Sequence, residues 1–391
     1  MRKLKLIIML LISLLLSGCY GKVELDDLAY AIAIGADLSE SGDESEVDIT
    51  YQIAIPVKIA GTETNTGKDT FTTYTVTAPS LAKANSLVNT ITSKQIDLSH
   101  VELILYSEEL AQKSLTGHIN SLISNVDIRP RSTVAICKGK AKDFLEKVSP
   151  VSETSPARYY ELILSSYNYT SQSAGSEILN FYTATQSPYE CPLAVIANLK
   201  EESEEDENKE ATFSGLSVFK GTKLVGELQG DEVLAHLILS NNLNEAVLVV
   251  SDSENQNKVV TLIAKQSNSP DIKVSINNNI PHIEVTAYIE ARLESDGGNT
   301  DYLKEENKNR LHDKIKEHVK NILENYLEKT TKNLKADAAG FGRYAKANYL
   351  TWPEFEEINW HDIYEKSTYN IEVNVNLNVS QIVSHSLPTQ E

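Results

Sequence analysis

The stretch HIEVTAYIEARLE (282–294) alternates apolar and polar residues without a break, so Ile283, Val285, Ala287, Ile289, Ala291 and Leu293 share one face of an extended chain. A strand with one apolar face must bury that face under another layer. The following segment supplies the cover. From Tyr302 to about Leu334, the residues Leu311, Ile315, Val319, Ile322 and Tyr326 recur at helical spacing, which makes one inward stripe. Glu306–Arg310 and Glu328–Lys332 add oppositely charged pairs on the same helix, each contributing only ~0.2–0.5 kcal/mol. A last strand, NIEVNVNLNVS, offers Ile371, Val373, Val375, Leu377 and Val379 to that helix and turns Asn374, Asn376 and Asn378 outward. A long helix lying on an antiparallel sheet is the simplest arrangement.

Further strands precede this unit: EAVLVVS, KVVTLIAKQ and DIKVSIN. Ahead of them, Ala211–Phe219 and Lys223–Glu227 pair as a hairpin around Lys220-Gly221-Thr222, followed by a short helix, DEVLAHLIL. The first half alternates instead. Strands are expected at 28–35, 47–57, 69–77, 100–106, 131–137 and 192–199, and helices at 81–91, 108–124, 141–148, 156–169 and near EILNFYTA. Such alternation favours mixed α/β layers. Between the halves runs EESEEDENKE (201–210), which has no apolar residue and reads as a solvated loop. The expected class is therefore α+β and multidomain, with a mixed α/β N-terminal region and a C-terminal domain whose long helix packs on an antiparallel sheet. The expected units are a leader (1–18), an N-terminal domain (19–200), an acidic linker (201–210) and a C-terminal domain (211–386), with room for a subdivision near 270–280.

The leader carries its own signal. Arg2, Lys3 and Lys5 precede an apolar core, Leu6–Leu16, which as a helix would rise only about 16 Å. That is about half a hydrocarbon core, so basic, apolar and small residues in this order read as an export signal. Leu16-Ser17-Gly18-Cys19 then resembles the lipobox of bacterial lipoproteins. The resemblance implies a diacylglyceryl thioether on Cys19, cleavage before it, and an N-acyl chain as an optional third. Two acyl chains hold a protein firmly where one holds it marginally. An ordinary secretory signal or a protein anchor is the alternative.

Composition narrows the function. Losing the three leader cations takes the formal charge from −19 to about −22, which opposes phosphate backbones and makes nucleic acid an unsuitable partner. With 41% hydrophobic residues the body can build a core. Apart from Cys19, only Cys137 and Cys191 remain, both in apolar settings; two buried thiols are the simpler reading and one disulfide stays open. No HExxH, GxSxG or Walker spacing occurs, and His312 and His318, six apart on a helix, point in different directions. The acidic run lacks the glycine turn and spacing of a calcium loop. Neither a catalytic set nor a metal site is expected. Tyr159, Tyr160, Tyr167 and Tyr169 read either as amphipathic packing or as a face for a partner.

Several stretches stand in a telling order: the segment Tyr20–Leu28 after the lipobox, Ser99–Leu105, Gly215–Gly221 with Lys223–Gly226, and above all Lys335-Ala336-Asp337-Ala338-Ala339-Gly340-Phe341-Gly342-Arg343-Tyr344, followed by Trp360 and Glu372–Asn376. Together they resemble the Ger(x)C lipoproteins, the C subunits of nutrient germinant receptors in endospores. Tyr20 stands where tryptophan is common, and the run after Tyr344 is altered. The resemblance implies a non-enzymatic subunit on the outer face of the spore's inner membrane, assembled with two integral membrane subunits, one multi-spanning and one transporter-like. For the GFGR phrase two readings compete. In one, the phrase is a helix C-cap and turn in which Gly340 and Gly342 allow positive φ, Phe341 packs and Arg343 caps carbonyls; in the other, Phe341 and Arg343, with Tyr159 and Tyr160, form partner contacts. A solute-binding lipoprotein serving a transporter is the alternative function.

Overall fold

The computed structural model describes residues 24–40, 45–55, 70–149, 153, 155–200, 210–252, 257–296 and 300–379. The leader, Cys19 and residues 201–209 of the acidic run lie outside the described residues.

The first half begins with β1 (Leu28–Leu38), β2 (Val47–Ala54) and β3 (Phe71–Ala78), followed by α1 (Leu81–Val88) and β4 (Gln95–Asp97). Next come β5 (Leu103–Ser107), α2 (Glu108–Lys113), α3 (Thr116–Ile123), β6 (Thr133–Cys137) and α4 (Ala141–Lys147). Then follow α5 (Pro156–Leu164), α6 (Tyr167–Thr170), α7 (Ile178–Thr185), β7 (Leu193–Leu199), β8 (Ala211–Lys220) and β9 (Lys223–Leu228). Their sheet runs β3-β2-β1-β5-β6-β7-β8-β9, with β4 beside the start of β1. β1, β5, β6 and β7 are parallel; the flanking strands are antiparallel. Helical crossovers are what allow the parallel centre. Both faces are therefore covered. α1, α2, α3 and α7 contribute Leu81, Leu110, Ile119 and Phe181 to one core, while α4 and α5 contribute Phe144, Leu145, Tyr159 and Tyr160 to the other.

The acidic run falls between β7 and β8, which pair directly, so β8 and β9 extend the first sheet rather than the second. The second layer starts with α8 (Asp231–Leu239), then β10 (Ala246–Ser251), β11 (Val259–Asn277), β12 (Ile280–Asp296), α9 (Glu305–Glu328) and β13 (Thr368–Asn378). The alternating stretch of β12 faces inward as its pattern demands, and its six apolar residues are all buried against the stripe of α9. The C-terminal sheet with a long helix on it is as the sequence predicts, but with one difference. β10, β11 and β12 are antiparallel, whereas β13 joins β12 in parallel because α9 carries the chain back across the sheet.

Other differences have local causes. KVVTLIAKQ and DIKVSIN are one strand, β11, whose register shifts at Gln266/Asn268/Asp271 absorb the irregular middle. Asn278 and Asn279, at φ 51° and 58°, form the two-residue turn into β12. The helix expected over 108–124 breaks at Ser114 (ψ 141°), where the next N–H, that of Leu115, leaves the helix to donate to Thr222 O at 3.0 Å. The helix expected over 156–169 divides after Leu164. The helix expected over 81–91 stops at Val88, so Ile91 lies beyond it and is exposed.

Candidate functional site

The long helix does not end at a glycine. After Glu328 it opens into a wide turn over Lys329–Leu334, and Lys335 supplies the left-handed residue at φ 52°, with Ala336 N–H donating back to Thr330 O at 3.0 Å. The next residue but one, Asp337, is fully buried. Its Oδ1 accepts from the Phe341 N–H at 3.0 Å, and its Oδ2 accepts from the Gly342 N–H at 2.8 Å and from Trp360 Nε1–H at 2.9 Å. The carboxylate is thus wrapped by the backbone that follows it and pinned to the short helix Trp360–Ile363. Burial pushes its pKa up to about 6, and the three donors oppose that rise.

The glycines of the phrase serve different ends. Gly340 has φ +72°, the conformation that glycine tolerates without a Cβ penalty. Gly342 does not; it opens the short helix α10 (Gly342–Lys346), and the reading that gave it positive φ is corrected. Space is its constraint, since a Cβ there would stand 2.5 Å from Tyr189 Cβ and 2.6 Å from Trp360 Nε1. Phe341 is fully buried and stacked on Tyr364, with centroids 6.4 Å apart. Arg343 is exposed and folds back, its Nε donating to Gly340 O at 3.3 Å and its Nη2 facing Ala339 O at 3.5 Å.

Above this knot opens a cleft of about 710 Å³ between the two layers. Its wall carries Tyr167, Glu177, Asn180, Glu190, Asn241 and Arg343, and Cys191, His236 and Ala339 also line it. The layers are stitched beneath by the Cys191 N–H, which donates to Asp337 O at 3.0 Å. His361 donates from Nε2 to Ser187 O at 3.2 Å, because a carbonyl can only accept, which leaves Nδ1 facing the Cys191 thiol at 3.9 Å. Burial pushes the Cys191 thiol up to about 12, so it stays protonated near neutral pH. Burial also lowers His236 to about 4, and its neutral ring lies 3.3 Å from the Tyr326 hydroxyl. The cleft therefore offers amides, carboxylates and one guanidinium to a polar guest, without a thiolate. Among the described residues no group of three His, Cys, Asp or Glu could hold a metal ion.

The four residues named as partner contacts are not brought together. Tyr159 and Tyr160 lie in the core between α5 and the first sheet, where the Tyr159 hydroxyl meets Ala211 O at 3.3 Å. With Phe341 they are buried rings, unavailable as outer contacts in this fold; of the four only Arg343 reaches the surface. From the tyrosine-rich segment, Tyr167 lines the cleft and Tyr169 is exposed. Cys137 and Cys191 are free and buried in separate cores, so the open disulfide does not form. Sequence reasoning quoted Asp337 and Trp360 without seeing that one binds the other. The available signal was an Asp just ahead of a glycine-punctuated turn, a residue type that hydrogen-bonds nearby N–H groups.

Two family models match the chain: "Spore germination protein N-terminal domain" over residues 21–199 and "Spore germination B3/ GerAC like, C-terminal" over 214–381. Similar proteins of Bacillus subtilis (strain 168) include the putative spore germination protein YfkR, 21% identical over 92% of this chain and 92% of its own length. Spore germination protein KC is 22% identical over 74% of each chain. The crystal structure of the GerBC protein superposes with a TM-score of 0.54 at 15% identity, covering 89% of this chain and 98% of that one, a likeness of fold. The two halves, their order and their shared architecture agree: the chain belongs to the spore germination GerAC/GerBC-like (Ger(x)C) family.

Proposed function

We propose that this spore germination protein is the lipid-anchored, non-catalytic subunit of a nutrient receptor, held by acylated Cys19 on the outer face of the spore's inner membrane beside two integral membrane subunits. One observation carries the reading: a lipobox-like Leu16-Ser17-Gly18-Cys19 stands directly before a body matching both halves of the family. Among the described residues no helix is long and apolar enough to cross a membrane. The cleft favours a second reading, a solute-binding lipoprotein. Against that stand two unlike layers, of nine and four strands among the described residues, joined through a common buried core.

Cys19→Ala is the test. It should leave the leader uncut or release the chain from spore membranes, and weaken germination with the cognate nutrient. A full nutrient response in a strain lacking this chain and any paralogue would refute the reading. Calorimetric binding of a small solute by the isolated body, without a germination phenotype, would favour the second.

A further inference from the structure

β1 enters the first sheet at Leu28, opposite Gln95 of β4, and β5 and β6 start nearly halfway along it, through the pairs Ala33–Leu103 and Leu103–Thr133. The turns leading into these starts, at 24–27, 89–94 and 124–132, therefore lie on the side from which the parallel strands begin, stepped along β1 rather than level. The start of α7 joins them, because the Leu179 N–H donates to Pro130 O at 3.2 Å. On this end four large apolar side chains face solvent: Leu25 (76% exposed), Ile91 (56%), Val126 (97%) and Leu179 (49%). Lys94 and Arg131 are exposed among them, beside Glu24, Asp26, Asp27 and Asp127, so this end is only mildly acidic.

The opposite end is different. β1 ends at Leu38 before SESGDESE, and β7 and β8 meet there around EESEEDENKE, a run with seven acids and one lysine. β1 has 11 residues, so the two ends are separated by roughly 35 Å. Cys19 lies six residues before Leu25, which sets a reach of at most about 20 Å.

We propose that Leu25, Ile91, Val126 and Leu179 form a bilayer-contacting tip, which seats the body on the membrane interface with the opposite end of the sheet, at Leu38 and Leu199, directed away. The inference rests on acylation of Cys19. It follows from two physical constraints: the short tether keeps this end within reach of the headgroups, and the acidic end is repelled by anionic lipid. Apolar side chains at the less acidic end can then sink into the interface.

The test uses the full lipidated chain in phosphatidylcholine vesicles that carry some phosphatidylglycerol. An environment-sensitive fluorophore is placed at Val126→Cys or, as an equally apolar exposed control on the other sheet, at Val249→Cys; Cys137 and Cys191 are buried and Cys19 is blocked by its thioether. Nitroxide lipids should quench the Val126 probe at least about twofold more than the Val249 probe, the depth preference of an interfacial contact. Equal quenching at both sites in chains that float with the vesicles would overturn the tip and leave the anchor intact. Chains that do not float would overturn the anchor and the tip with it. Val126 quenching that appears only when integral spore-membrane proteins are present would overturn the bilayer as occupant in favour of a protein contact.

Discussion

Gly342→Ala adds a single methyl, and its effect can be worked out from the structure. The backbone would accept it, since Gly342 opens α10 without positive φ, and alanine favours a helix by up to ~1 kcal/mol. Any destabilisation must therefore come from space. The new Cβ would lie 2.5 Å from Tyr189 Cβ, 2.6 Å from Trp360 Nε1 and 2.7 Å from Trp360 Cδ1, all closer than carbon atoms tolerate. Trp360 is fully buried and can yield only by leaving Asp337, which forfeits a hydrogen bond to a charged group of about 1.5–3 kcal/mol. Overpacking adds about 1–3 kcal/mol. After the helical gain, a net loss of about 2–5 kcal/mol is expected.

The chain has two tryptophans, Trp352 and Trp360, so urea denaturation followed by their emission reports on the knot itself. Gly340→Ala is the control. Its obstacle is backbone strain at φ +72° together with the far end of the Arg343 side chain, worth about 1–2 kcal/mol. Trp360→Phe removes the donor and part of the obstruction, so Gly342→Ala should cost much less in that background, a coupling that only contacting residues show. A Gly342→Ala variant within about 0.5 kcal/mol of the parent, or a cost unchanged by Trp360→Phe, would refute the crowding.

Other expectations follow from the same chemistry. Asp337 has its folded pKa raised from 3.8 to about 6, so the folded chain binds the proton more tightly; the stability this adds is present at low pH and is lost as pH rises through that window. The stability difference between the parent and Asp337→Asn should shrink by about 2 kcal/mol between pH 4 and pH 7 in paired denaturation curves, and no change would refute the shift. Cys137 and Cys191, both buried with thiols held protonated, should resist alkylation in the folded chain and react on addition of denaturant. Rapid labelling at neutral pH would show that one of them is accessible.

Much of the architecture was legible before any coordinates because it rests on periodicity. The two-residue repeat of β12 and the helical repeat of α9 each name a buried face, and the structure buries both sets of residues against each other. Alternation in the first half likewise announced a layered sheet, and the turn at Gly221 announced the hairpin of β8 and β9. These are local patterns, readable within a dozen residues.

What the tertiary structure decided involves partners far apart in the chain. β13 lies parallel to β12 because of where α9 delivers it, and the acidic run falls inside a sheet because β7 pairs with β8 across it. The Ser114 break reflects a carbonyl at Thr222 that no helical pattern could foresee. Phe341 could be read as either surface or core until Tyr364 covered it, and Asp337 became the centre of its phrase only when Trp360 arrived from 23 residues away. A sequence displays which faces are apolar; which polar group meets which across the core is fixed only when distant segments compete for the same small volume.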